Sequence, residues 1–137
     1  MLLSIYKKSN LMKSVNIKFP LTDDTSKNKY LKLNQITKDA FSSDLLLLLL
    51  TEKGERYYHP NYGTNLLKYI FEPNDNLTAQ DIEQEIKRTV SLYIPSLKIR
   101  KIEFNRPEDT GVQLNVNIKF TYTEDTFSEN GELDLNF

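Results

Sequence analysis

Residues 37–51 read TKDAFSSDLLLLLLT, and the six consecutive leucines from Leu45 to Leu50 limit what this chain can become. Leucine favours helix, whereas strands prefer β-branched residues, and no glycine or proline interrupts the stretch. The pattern predicts a helix over 38–51, apolar nearly all round its second half, and such a helix has to be covered on most sides. A bilayer crossing needs about 20 apolar residues, and this run is flanked closely by Asp44, Glu52, Lys53, Glu55 and Arg56. It reads as a core element, and no membrane partner is expected.

The rest of the chain must supply the cover. Val15, Ile17 and Phe19 alternate with Asn16 and Lys18, the period of a strand with one buried face, and Pro20 stops it. Polar LTDDTSKNK turns the chain, and Tyr30 to Leu33 is expected to return as a second short strand. Gly54 is placed to close the leucine helix. TNLLKYIF, from Thr64 to Phe71, fits a two-turn helix capped by Thr64, with Leu66, Leu67, Ile70 and Phe71 inward. Thr78 with Asp81 three residues on predicts the cap of a third helix. Its inner face is Ile82, Ile86, Val90 and Tyr93, and Glu83, Glu85, Lys87 and Arg88 form a solvated face.

Beyond Pro95 the sequence alternates. LKIRKIEF reads as one strand and NRPEDTG as a turn, while VQLNVNIKFTYT puts Val112, Leu114, Val116, Ile118, Phe120 and Tyr122 on one face. Asn130-Gly131 is expected to end the next loop, leaving Leu133, Leu135 and Phe137 for a last strand. The fold class is α+β: central helices packed on a C-terminal three-stranded antiparallel sheet, with a short N-terminal strand or hairpin. Residues 1–14 are expected to form an N-terminal arm and 15–137 a single domain. The opening MLLSIYKKSNLMK lacks the features of a signal peptide.

Eighteen Lys and Arg against nineteen Asp and Glu give a net charge of −1. That balance does not favour binding driven by counterion release from nucleic acid, so a protein partner is the default. Without cysteine there is no thiolate metal site and no disulfide frame, which suits an intracellular setting. His59, the one imidazole, has no metal-ligand spacing with Glu52 or Glu55 and no GxSxG serine to activate. Glu52, Glu55, Glu72 and Asp75 could in principle cleave a glycosidic bond, but that chemistry needs a set carboxylate separation and one raised pKa. No catalytic residue, cofactor, metal or small-molecule substrate is expected.

The stretch GERYYHPNYG, residues 54–63, reads as an elbow. Gly54 and Gly63 suit positive-φ positions and Pro60 stiffens the path between them. Glu55 and Arg56 follow the buried helix, where an arginine can fork onto carboxylates or exposed carbonyls. Tyr57, Tyr58 and Tyr62 are amphipathic, so the elbow could also be an interface. The open edges of the final sheet offer a second docking mode, strand addition by a partner.

These residues resemble a known family: the baseplate wedge and tail-sheath initiator proteins of contractile phage tails, related to a type VI secretion baseplate component and long called lysozyme-like. The likeness runs from FPL at Phe19 to Leu21, through the apolar helix, to LLTEKGER at Leu49 to Arg56. It continues through HPNYG at His59 to Gly63 and LLKYIFEP at Leu66 to Pro73. The resemblance implies a non-enzymatic virion component of the tail baseplate, assembled in the host cytoplasm. Its implied partners are other baseplate wedge proteins and tail sheath subunits, the sheath being initiated by strand exchange. Gly54, Glu55, Arg56, Tyr58, Pro60, Tyr62 and Gly63, together with Pro95, are the candidate partner-binding or elbow residues. Where the family carries Glu-Pro-Arg, this chain has Ile94-Pro95-Ser96, and Arg100 or Arg106 are candidates to replace the lost arginine. A peptidoglycan-cleaving glycosidase and a free-standing regulatory binding domain are the alternatives.

Overall fold

A computed structural model describes residues 16–23, 31–34, 36–69, 71–72, 76–105, 115–124 and 127–136. The expectations for the 1–14 arm, Val15, Tyr30, Ile70, Asp75, the turn after Asn105, Val112, Leu114 and Phe137 lie outside them. The chain runs β1 (Asn16–Ile17), β2 (Leu33–Asn34), α1 (Thr37–Leu50), α2 (Leu66–Tyr69), α3 (Asn76–Tyr93), β3 (Leu97–Asn105), β4 (Asn115–Glu124) and β5 (Phe127–Asn136). The last three strands form an antiparallel sheet in the order β3-β4-β5, and β1 pairs with β2. This is the α+β architecture expected of the sequence.

The leucine run is helical but covered on one side more than the other: Leu45, Leu48 and Leu49 are fully buried, Leu46 packs partly against the same core, Leu47 is half-buried and Leu50 is 36% exposed. One face of the sheet lies beneath α1 and α3, with Val116, Ile118, Phe120 and Tyr122 of β4 at the centre. Phe41 of α1 sets its ring against Tyr122, 5.0 Å between centroids. From α3, Ile82, Ile86 and Val90 complete the core, as the helical period predicts.

Five local expectations fail for identifiable reasons. β1 turns its apolar side out: Ile17 is 48% exposed, and it is Asn16 that faces α1. Asn16 Nδ2 donates to Ala40 O (3.1 Å) and Asp44 Oδ1 (2.8 Å), and buried Asn34 donates to Asn16 Oδ1 and Ser43 Oγ, both at 2.8 Å. Two amides satisfied by α1 thus outweigh one isoleucine. Helix α2 spans only four residues, so Leu66 is buried while Leu67, some 100° round the helix, is exposed, and Phe71 lies beyond its end. Helix α3 starts at Asn76, placing Thr78 inside the first turn, because extending a nucleated helix by two residues costs little.

The remaining two concern the sheet and the helix stop. Asn130-Gly131 lies within β5, where Gly131 pairs with Phe120 and the Phe120 ring covers it. Helix α1 ends at Leu50, three residues short of Gly54, with Thr51 as its C-cap. Within β3 the register slips between Ile99 and Lys101. That bulge lets Leu97 and Ile99 share the inner face with Ile102 and Phe104 although the spacing changes parity.

A Cβ at residue 131 would come within 2.4 Å of the Phe120 ring. Gly131→Ala is expected to lower unfolding stability by about 1–3 kcal/mol in denaturant titrations. Asn34→Ala, which strips Ser43 and Asn16 of a buried donor, is expected to cost about as much, in the range of 1–3 kcal/mol.

Candidate functional site

The elbow is built onto the C-terminus of α1. A helix leaves its last four carbonyls without intrahelical donors, and two threonines near the chain reversal supply hydroxyls. Thr51 Oγ1 donates to Leu47 O at 2.6 Å, and Thr64 Oγ1 donates to Leu49 O at 2.8 Å. The strands of the reversal then pair in parallel at Glu52 and Thr64. Thr64 N–H donates to Thr51 O (2.8 Å) and Lys53 N–H to Thr64 O (3.1 Å).

This close pairing dictates the glycine at 63. Its φ is +109°, and a Cβ there would sit 2.2 Å from Thr51 O. Gly54 also has a positive φ, +94°, but open space surrounds its α-carbon, and its N–H donates to Pro60 O at 2.7 Å. One glycine is required by both backbone and packing, the other by backbone alone. Between them, Glu55 Oε2 accepts from Glu52 N–H (3.1 Å), and His59 N–H and Tyr62 N–H bond back to Arg56 O and His59 O.

The side chains divide into an inner stack and an outer tip. The Arg56 guanidinium lies over the Tyr62 ring, 3.9 Å from its centroid, and Tyr62 meets Tyr93 of α3 edge-on at 5.0 Å. No described carboxylate is within ion-pair distance of Arg56, so its seat is the face of a tyrosine instead of the expected fork. Burial raises the Tyr62 hydroxyl above the usual phenol range, against the opposing pull of Arg56. Tyr93 Oη donates to Asn61 O at 2.8 Å, tying the elbow to α3. Tyr57 and Tyr58 are 90% and 87% exposed, with their rings edge to face at the tip. His59 and Pro60 are exposed beside them.

Three residues that hold the elbow were missed or only partly read from the sequence. Thr51 carries no distinguishing pattern; Thr64 reads as a helix cap, and its Oγ1 does accept from Leu66 N–H at 3.4 Å, but the bond it donates to Leu49 O has no local signal. Glu85 reads as part of a solvated face, yet its side chain is only 17% exposed: it accepts from Lys53 Nζ at 2.6 Å and Asn65 N–H at 3.3 Å. A lysine at 53, directly after the helix, was the available hint of an acidic partner. Pro95 stands apart in the exposed turn between α3 and β3. Arg100 lies on the outer face of the sheet, donating from Nε to Thr121 Oγ1 at 2.9 Å.

Glu52 and Glu72 are exposed, and Glu55 is engaged with the backbone of Glu52. Open grooves of about 520 Å³ at Glu103, Asn117 and Asp134, and of about 410 Å³ beside Arg100 and beside Pro95, are lined by none of these three. Among the described residues no group of three His, Asp or Glu side chains could hold a metal ion. No described helix is long and apolar enough to cross a membrane.

Comparison with known proteins gives this arrangement a family. The family described as baseplate wedge protein gp25 matches residues 37–126, from the start of α1 into the β4–β5 connection, and the chain belongs to it. The baseplate wedge protein gp25 of Enterobacteria phage T4 is 33% identical over 66 residues, which is 48% of each chain, so the match spans about half the length of that relative. Three solved structures share the fold. A baseplate chain of the anti-feeding prophage has a TM-score of 0.66 and 19% identity, covering 79% of this chain and 83% of its own. A chain of the post-contraction pyocin R2 baseplate has 0.58 and 14%, covering 76% and 99%. A Geobacter sulfurreducens protein provisionally called a tail lysozyme has 0.60 and 19%, covering 73% and 90%.

The two glycines separate backbone strain from collision. Gly63→Ala is expected to cost at least about 3 kcal/mol, and Gly54→Ala about 1–2 kcal/mol, both read from urea unfolding. Arg56→Ala, which removes one cation–π contact, is expected to cost about 0.5–2 kcal/mol and to leave the domain folded.

Proposed function

We propose that this chain is a non-enzymatic structural component of a contractile-tail baseplate wedge, with residues 15–137 acting as one unit that binds wedge neighbours and starts the sheath by strand exchange. The observation that carries this reading is the family match across 37–126, which spans the leucine helix, the elbow, α3 and two strands of the sheet. The geometry supports it. The elbow's polar groups are used to hold the chain reversal, while Tyr57 and Tyr58 stand out where a neighbour can cover them. In this reading Gly54, Glu55, Pro60, Tyr62 and Gly63 shape the elbow, Arg56 fixes its aromatic stack, and Tyr58 and Pro95 contact neighbours.

The test separates folding from assembly. Arg56→Ala is expected to give soluble, folded protein that enters baseplates poorly; normal incorporation would remove the role assigned to Arg56. A cell-wall-cleaving reading draws on the name of the Geobacter neighbour, which at 19% identity shares the fold alone. Purified protein is expected to release no reducing sugar ends from peptidoglycan. Turnover that disappears in Glu52→Gln, Glu55→Gln or Glu72→Gln would establish the enzyme instead.

A further inference from the structure

On the face of the sheet turned away from the helices, charge is sorted by position. Lys98, Thr121 and Asn130 stand in register across the three strands. The next row holds Lys101, Lys119 and Glu132, and a further row Glu103, Asn117 and Asp134. The face thus runs from basic to acidic.

Arg100 sits at the basic end because of the bulge. It is the residue without a register partner between Ile99 and Lys101, and a bulge re-aims a side chain. Its Nε donates to Thr121 Oγ1 at 2.9 Å, that hydroxyl donates onward to Asn130 Oδ1 at 3.1 Å, and Thr121 is only 7% exposed. The guanidinium is therefore tethered across the sheet. Among the described residues nothing accepts from its two terminal nitrogens, and no carboxylate is within ion-pair distance. An arginine held at Nε with both terminal nitrogens open presents a ready fork, end-on, for a carboxylate.

The surroundings also suit an anion. Arg100 lines a groove of about 410 Å³ with Lys38 of α1, Lys119 and Asn130. Lys38 has no ion-pair partner among the described residues, and Lys119 lies 3.5 Å from Glu103 Oε2, whose other oxygen is held by Lys101. Glu132 is the one acid among the described lining residues, and its Oε1 accepts from Asn117 Nδ2 at 2.7 Å. Three cations against one acid leave this groove positive in a chain whose net charge is −1. A phosphate backbone laid along the face would also meet Glu103 and Asp134, whereas one or two carboxylates of a protein segment meet the cations alone.

We propose that this groove docks a short acidic segment of another protein, one carboxylate being received end-on by the Arg100 guanidinium while Lys38 and Lys119 supply the surrounding positive charge. The contact is made by side chains over the sheet face and needs no free ladder, so it goes beyond strand exchange. Pro95 lines a different groove, which separates this surface from the α3–β3 turn.

The test titrates the full chain against a rhodamine-labelled Gly-Glu-Asp repeat peptide, followed by fluorescence anisotropy, with a Gly-Gln-Asn repeat as its neutral counterpart. Saturable binding of the acidic peptide, weakened roughly three- to tenfold in Arg100→Gln and at least about twofold in Arg100→Lys, is the expected result. Lysine keeps the charge and loses the planar fork, and circular dichroism checks that each variant is folded. Equal binding by the parent chain and Arg100→Gln, or equal binding of the two peptides, would overturn the inference. Undiminished binding in Arg100→Lys would remove the fork and leave only a positive field. A single-stranded oligonucleotide that binds more tightly than the acidic peptide, and loses that binding in Arg100→Gln, would make a phosphate backbone the occupant and overturn the partner named above. Arg100-dependent self-association in sedimentation would put a second copy in the groove and overturn it as well. No binding of the acidic peptide at millimolar protein would contradict the inference, and the family assignment would stand in every case.

Discussion

The structure depends on the burial of α1. Six successive leucines commit most of the second half of the helix to contact with other elements, and burying a leucine side chain fully is worth about 1.5–3 kcal/mol. Three of the six are completely enclosed. The sheet supplies one wall, α3 another, and α2 with the elbow closes the end through Leu66 and the aromatic stack on Tyr93. At the end of that helix the elbow supplies threonine hydroxyls to the Leu47 and Leu49 carbonyls, and a backbone bridge holds the C-cap Thr51 to Thr64. The sharp turn is thus a consequence of how that helix has to end.

What was legible in the sequence follows from how far each signal reaches. The Ile82–Ile86–Val90 face and the alternation of β4 are periodic over many residues and recur in the core, and the unbroken leucine run is a helix that gives Leu45, Leu48 and Leu49 to the same core. The two positive-φ glycines were also visible, since few other residues adopt that backbone. The wedge family was recognisable because GER, HPNYG and the LLKYIFEP stretch keep one order and spacing.

The misses share a different cause. Asn16 and Asn34 face inward because α1 offers them acceptors; those of Asn34, though only 5 and 9 residues on, are met only once α1 has packed beside β2, and those of Asn16 lie 24 and 28 residues away in sequence. Glu85 is held by Lys53 and Asn65 across a similar gap. Gly131 resembles a turn residue, yet its lack of a side chain serves the Phe120 ring on the next strand. The β3 bulge alone was written locally, in the parity change between Ile99 and Ile102. At the elbow the backbone was therefore readable, while the threonines and the glutamate that hold it depended on tertiary contacts.

The central claim, a structural part in a baseplate wedge, is tested most directly by isolating the tagged chain from producing cells, identifying the co-purifying proteins by mass spectrometry and viewing the particles by negative-stain microscopy. The account predicts wedge and sheath subunits in sixfold plates. Recovery of the protein alone, with no such particle, would contradict it.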